Sequence, residues 1–380
     1  MCAHIFFRDV KYFGPAFAIS LFVLLLALSS GTDAEAQIAP GSKGSTGSLG
    51  VKIAPPAVRD AGVRWRIGTG TWHGPDEIVI GLPPGDYAVN FEDVYGWRTP
   101  NPVTATVGAD NTTTVTTKYR MGTLSIALPG GAQSLYLRWV PQGSFMMGRY
   151  RGEQDSETNE RPRHPVTFAQ GFWICQDELT RDQWFALMNT APWAGKPNIA
   201  TGSNAYIYPA VYVSWNDAQA FVAALNAHVT NTDQGAAAFA LPSEAQWEYA
   251  CRANTKTRYY WGDDPNGWDI WDYAWFEGNT VDEGESYAHA GGWGPKPNAW
   301  RLNDMSGNVK EWCEDWYHSS YNGAPSDGSA WVSPAGQKRV LRGGAWDESR
   351  LYLRSAARYS ATPSLKYPNI GFRLVRMADE

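Results

Sequence analysis

"GGAWDESRLYLRSAARYSATPSLKYPNIGFR", Gly343 to Arg373, is the stretch on which the reading of this chain turns. It opens on adjacent glycines, carries Arg350, Arg354, Arg358 and Arg373, and holds no cysteine. Paired glycines mark backbone that turns sharply or runs close to a neighbour. Whether the segment does chemistry, holds a ligand or ties off a domain depends on what precedes it.

Upstream, three helices are signalled by a hydroxyl N-cap with a carboxylate or amide three residues on. Thr180 with Gln183 starts "RDQWFALMN", Ser214 with Asp217 starts "WNDAQAFVAALNAH", and Ser243 with Gln246 starts "EAQWEYACRA". The cap oxygen satisfies an orphan N–H of the first turn and the third residue reaches back to the cap. In the second helix Trp215, Ala218, Phe221, Val222 and Leu225 fall on one apolar stripe. Beyond Ala253 the chain is mostly turns, glycines and aromatics.

Before Leu137 the texture differs. The runs "VRWRI", "EIVIGL", "DYAVNF", "VTATV" and "TTTVTTKY" alternate apolar with polar residues or are β-branched, between Pro, Gly and Asn. Residues 49–120 therefore read as a small all-β sandwich, with "GLPPGDYAVNF" as a hairpin arm. They are similar to bacterial repeat modules of the "GLPxGxYxVxF…GWxTP" kind, matched by Gly81–Phe91 and Gly96–Pro100; such modules imply spacing or adhesion. Residues 121–136 read as a linker, and the Gly/Ser-rich 37–48 as a flexible leader. Arg8 and Lys11 precede the apolar "AFAISLFVLLLALSS" (Ala16–Ser30), and "AEAQ" offers a cleavage site after Ala36. That run is short against the roughly 20 residues of a membrane span, so 1–36 is expected to be a signal peptide and the mature chain periplasmic or extracellular. A membrane is expected only through an uncleaved anchor.

At 380 residues there is room for two domains. A net charge of -6 with no basic run excludes a nucleic-acid groove. The 19 tryptophans either staple a loop-rich core or build a sugar-binding face. Removing Cys2 leaves Cys175, Cys251 and Cys313, an odd set whose pairing the sequence leaves open. No Cys or His cluster has zinc spacing.

Several motifs stand in one order: "GSFMMG" (Gly143–Gly148), "ERPRHPV" (Glu160–Val166), "YPAVYVSWNDAQAF" (Tyr208–Phe221) and "LPSEAQWEYACRA" (Leu241–Ala253). "GNVKEWCEDWY" (Gly307–Tyr317), "RVLRGGAW" (Arg339–Trp346), "RSAAR" (Arg354–Arg358) and "NIGFRLV" (Asn369–Val375) follow. The series, over 137–380, resembles the formylglycine-generating enzyme, or sulfatase-modifying factor, family. The resemblance implies an α+β domain of low regular secondary structure related to the C-type lectin fold.

It also implies an activity, copper-dependent oxidation of a substrate cysteine by two cysteines of the enzyme in "GGSxxCxxxxC". Here those positions hold Glu348 and Leu353. Neither can supply a thiolate, which is the nucleophile and the soft ligand copper(I) takes, so copper and formylglycine formation are not expected. Ergothioneine-type chemistry is disfavoured too, because the preceding domain is His-poor. Family members that mature siderophores also lack the cysteine pair, which keeps a divergent oxidoreductase or maturation enzyme open.

The resemblance further implies a structural calcium site, carried onto "NDMSGNVKEW" as Asp304, Gly307, Val309 and Glu311, two carboxylates and two backbone carbonyls. Lys310 adjoins it where the family commonly has Trp. Arg342, Arg354, Arg358 and Arg373 recur in the family's motifs and are expected to brace the core through their planar forks. Between them, Asp347, Glu348, Tyr352, Tyr359, Lys366 and Tyr367 form a varied polar and tyrosine surface suited to ligand binding. The expected function is binding of a protein, peptide, glycan or small ligand by a catalytically altered family member. An enzyme with Glu348 as acid/base and an envelope glycan-binding protein are the alternatives.

Overall fold

The computed structural model describes residues 45–54, 58–59, 62–94, 97–235 and 238–377. The signal peptide expected at 1–36 and most of the leader lie outside them. From Ser45 onward the chain forms one compact unit.

Its N-terminal part carries two three-stranded sheets. Gly47–Ala54 pairs antiparallel with Ile78–Leu82 and parallel with Thr112–Lys118. Gly85–Phe91 lies between Trp65–Ile67 and Val103–Val107. Their inward residues, among them Leu49, Val51, Trp65, Val89 and Val107, share one buried cluster. The strands flanking Pro83–Pro84 enter different sheets, so "GLPPGDYAVNF" is no hairpin with its predecessor. A proline offers no N–H to a ladder, and here the pair carries the chain from one sheet to the other.

The C-terminal part is built on two larger sheets. One orders Phe239–Ala240, Val375–Met377, Phe172–Cys175, Leu135–Val140 and Thr123–Ile126; the other orders Tyr359–Ala361, Arg339–Arg342, Lys310–Trp316 and Ile370–Gly371. The expected linker at 121–136 thus contains the Thr123–Ile126 strand and the start of the Leu135–Val140 strand. Three helices pack on the sheets: α1 (Arg181–Met188), α2 (Trp215–Asn231) and α3 (Glu244–Arg252). Each starts at its expected cap with the reciprocal bonds formed, Gln246 N to Ser243 Oγ and Ser243 N to Gln246 Oε1 both at 2.9 Å on α3. On α2 the buried stripe is Ala218, Phe221, Val222, Leu225 and Val229, packed with Trp184 and Phe372 in the largest cluster. Trp215 sits at its margin, its indole N–H donating to Cys313 O at 3.0 Å. Long loops joining these elements make up much of 253–309.

Candidate functional site

The double glycine ends the Arg339–Arg342 strand with φ +97° at Gly343 and +75° at Gly344. A Cβ on Gly344 would stand 2.8 Å from Leu353 Cδ1 and 2.9 Å from Tyr352 O. Glycine there lets the turn close over the segment that follows. Leu353 then enters a cluster with Tyr259, Ile270, Ala274 and Phe276, wholly buried. One of the two family cysteine positions is therefore core packing.

The other is polar. Glu348 Oε1 pairs with Lys310 Nζ at 2.8 Å, while Oε2 is buried without a hydrogen-bond partner. Burial pushes the Glu348 carboxyl above its ordinary range, against the pull of Lys310. Lys310 Nζ also lies 5.4 Å from the Tyr359 ring centroid. The Tyr359 hydroxyl donates to Tyr352 O at 2.5 Å, and burial together with the Glu348 charge raises its pKa well above that of a free phenol. Asp347 accepts from Asn369 Nδ2 at 2.8 and 3.0 Å. Tyr352 and Tyr359 also line a cavity of about 320 Å³ with Asp155 and Glu157.

Four of the six expected ligand-binding residues, Glu348, Tyr352, Tyr359 and Asp347, are thus gathered near Lys310 and Asn369. Lys366 is tied instead to Asp217 on the first turn of α2, at 2.7 Å, and Tyr367 is exposed. Lys310 and Asn369 belong to the cluster although sequence reasoning did not place them there. The one available signal was Lys310 standing where the family has Trp.

The arginines brace the frame as expected, but each also meets a buried carboxylate. Arg373 grips Glu311 at 2.7 Å through Nε and Nη2, and reaches the carbonyls of Cys175, Gln176 and Asn303. Arg358 holds Glu244 at 2.5 and 2.7 Å. Arg354 holds Glu160 at 2.9 and 2.7 Å, and Arg342 reaches Glu248 at 2.5 Å. Burial opposes the Glu244 charge, yet Arg358 and Arg342 outweigh it and hold that carboxyl below its ordinary value.

The residues expected to hold calcium meet other partners in this fold. Glu311 is spent on Arg373 and on Trp247 Nε1, 2.9 Å away. A carboxylate neutralised by a bidentate guanidinium has little charge left for a hard cation. Asp304, at φ +54°, accepts from Gly292 N at 3.2 Å and leaves Oδ1 buried without a partner. Gly307 and Val309, expected to offer their carbonyls, donate through their N–H groups to Gly343 O at 2.9 Å and to Glu178 Oε1 at 3.2 Å. Among the described residues no group of three or more His, Cys, Asp or Glu is arranged to hold a metal.

Cys175, Cys251 and Cys313 are all free and buried, so the pairing the sequence left open resolves to no bridge among these three. Burial pushes the Cys175 thiol to about 12 and Cys251 to about 11, and raises Cys313 well above its usual value. None of them is poised as a thiolate.

Residues 136–378 match the family model of the sulfatase-modifying factor enzyme 1-like domain. The chain is 36% identical over 195 residues to the formylglycine-generating enzyme of Streptomyces coelicolor, covering 49% of this chain and 55% of that one. It is 30% identical over 199 residues to the inactive C-alpha-formylglycine-generating enzyme 2 of Bos taurus, covering 50% and 58%. It therefore spans about half the length of these curated relatives. Among solved structures it is similar to PvdO from Pseudomonas aeruginosa, at 32% identity and a TM-score of 0.56 over 64% of this chain and 95% of that one.

Proposed function

The chain belongs to the sulfatase-modifying factor family, and on that premise we propose that it is a member without formylglycine-generating activity that binds a peptide or small ligand beside Glu348, Lys310 and Tyr359. The observation that carries this is the fate of the two cysteine positions. Leu353 is core, Glu348 is ion-paired, and the remaining thiols are buried and protonated. Among the described residues, copper oxidation of a substrate cysteine has no thiolate to start from. Relatives of both active and inactive kinds lie within the same range of identity, so family membership alone does not supply the activity.

The charge-then-apolar pattern of Arg8–Ser30 supports export to an oxidising compartment. The strand pairing at 47–118 supports an all-β module, and the family supports a C-type-lectin-like description of the remainder.

The test incubates the folded full chain with a sulfatase-type cysteine peptide, copper and oxygen, followed by mass spectrometry. The expected peptide mass is unchanged, with the peptide retained by the protein and retention reduced about tenfold, or roughly 1.4 kcal/mol, by Tyr352→Ala. Conversion to formylglycine sinks the first half of the proposal, and equal retention by Tyr352→Ala sinks the second.

A second reading has its own support. The Glu348 carboxyl, its pKa raised by burial and one oxygen unpartnered beside the Lys310 ammonium, is a candidate acid/base toward a bound ligand.

A further inference from the structure

We propose that the cavity walled by Tyr136, Tyr206 and Trp293, with the Asp177 carboxylate in its lining, binds a small organic ammonium ion. The cavity encloses about 240 Å³ and shares no lining residue with the Tyr352–Tyr359 cavity. A site for a drug-sized molecule takes roughly 300–1,000 Å³. This one suits an amine head on a short alkyl stem.

The three rings come from segments far apart in the chain. Tyr136 stands on the Leu135–Val140 strand, where its carbonyl accepts from Gln176 N at 2.8 Å. Tyr206 is the middle residue of the short helical turn Ala205–Ile207, closed by Ile207 N donating to Asn204 O at 3.2 Å. Trp293 follows a turn in which its N–H donates to Ala290 O at 3.3 Å. In a molecule that buries most of its large aromatics, these three are 51, 47 and 70% exposed. Among the described residues none of the three rings is stacked on another or capped by a cation, so their faces stay open to a ligand.

Asp177 supplies the charge. Its Oδ1 accepts from Asn303 Nδ2 at 2.6 Å, and a neutral amide orients a carboxylate without cancelling its charge. Arg373, whose charge reaches Asp177, is itself held by two bonds to Glu311. Among the described residues that line the cavity none is Lys, Arg or His. A Cβ on Gly291 would stand 3.3 Å from Asp177 Cβ and Oδ1, so glycine there keeps the space beside the carboxylate clear. The neighbouring Glu178, buried in the same lining, is occupied by Asn308 Nδ2 at 2.5 Å and Val309 N at 3.2 Å, which leaves direct contact to Asp177. The start of α1 carries partial positive charge, but its donors are spent on protein acceptors. Arg181 N bonds Tyr208 O at 2.9 Å, Gln183 N bonds Thr180 Oγ1 at 3.3 Å, and Asp182 lies in the first turn.

The ligand class follows from this lining. An ammonium is attracted to ring faces within about 6 Å of their centroids and at the same time donates charge-assisted bonds to a carboxylate. A neutral sugar uses the rings but leaves Asp177 unmatched, and an anion is repelled by it. A hard metal ion takes a shell of oxygens rather than rings. A lysine side chain of a peptide and a free alkylamine present the same head.

The test is an NMR titration of the full chain carrying nitrogen-15 tryptophan, read at the Trp293 indole signal, which its loss in Trp293→Ala identifies. The probes are Nα-acetyl-lysine amide, Nα-acetyl-norleucine amide, which lacks the ammonium, and n-butylammonium. The expected result is a saturable shift with the lysine derivative and none with the norleucine derivative. Asp177→Asn, which keeps an acceptor for Asn303, should weaken binding at least tenfold. Trp268→Ala, an exposed tryptophan outside the cavity, should leave it unchanged. Butylammonium binding as tight as that of the lysine derivative upholds the site as one for free amines, and binding at least tenfold weaker upholds it as one for a peptide side chain. Circular dichroism establishes that each variant is folded. No shift with either amine, an equal shift with the norleucine derivative, or full binding by folded Asp177→Asn overturns the proposal.

Discussion

Asp304 shows what one residue's surroundings decide. Its backbone is left-handed, one carboxylate oxygen has no partner, and burial followed by the Asp177 charge lifts its pKa from 3.8 to about 7. A carboxyl whose folded pKa is raised binds its proton more tightly in the native state than in the unfolded chain. Stability therefore falls as pH rises from about 4 to 7. Asp304→Asn keeps a side chain that accepts the left-handed backbone and removes the charge. It is expected to stabilise the protein by about 1–3 kcal/mol at pH 7.5, to change little at pH 4, and to flatten the Tm profile between them. Thermal melts with chelator and with calcium should give the same Tm for the wild type, because Glu311 is held by Arg373. A calcium-dependent rise in wild-type Tm that Asp304→Asn abolishes would show instead that the cation displaces Arg373.

At the scale of elements, α3 is the piece on which the frame depends. Every residue from Glu244 to Arg252 is buried, although the segment includes two glutamates, a glutamine and an arginine. Its cap is local. Ser243 accepts from Gln246 N and also donates to Gly328 O at 2.8 Å. Its charges are not local, since Glu244 and Glu248, one turn apart, meet Arg358 and Arg342 from the C-terminal segment. Removing one member of a buried pair leaves the other charge stranded, a cost of about 3–5 kcal/mol, whereas losing a cap costs about 0.5–2 kcal/mol. Urea unfolding should therefore rank Arg358→Met as clearly more damaging than Ser243→Ala. Glu244→Gln combined with Arg358→Met should recover part of the loss. Comparable losses for the two single variants would mean that solvent or Arg342 takes over Glu244 without cost.

At the scale of the molecule, the aromatic excess is largely structural. Trp65, Trp184, Trp247 and Trp312 are among the largest fully buried side chains, and Trp173, Trp300 and Trp346 are also buried. Exposed exceptions such as Trp268 and Trp293 stand on the long loops after α3. Free buried thiols in place of disulfides leave packing and the arginine–carboxylate pairs to hold those loops. Adding dithiothreitol should accordingly leave the Tm within a degree or so, while a bonded Cys251–Cys313 would lower it by several degrees on reduction, at about 2–4 kcal/mol for a typical bridge.

By itself the sequence determined what depends on short range and on motif order. The three helix starts were legible because a cap closes its bonds within one turn, three residues away. The family was legible because its motifs keep their order from Gly143 to Val375, and the missing cysteines because Glu348 and Leu353 stand at the family's spacing from the double glycine. Tertiary structure alone decided which charges meet. Neither Arg373 with Glu311 nor Lys310 with Glu348 is announced by spacing, since such a contact depends on how every intervening element packs. That packing set Glu311, an expected calcium ligand, against Arg373. It also drew Glu348 against Lys310 and set Tyr136 and Trp293 on the walls of one cavity. A hydrogen bond inside one turn is fixed by local backbone geometry, whereas the partner of a buried charge is fixed by the whole fold that excludes water around it.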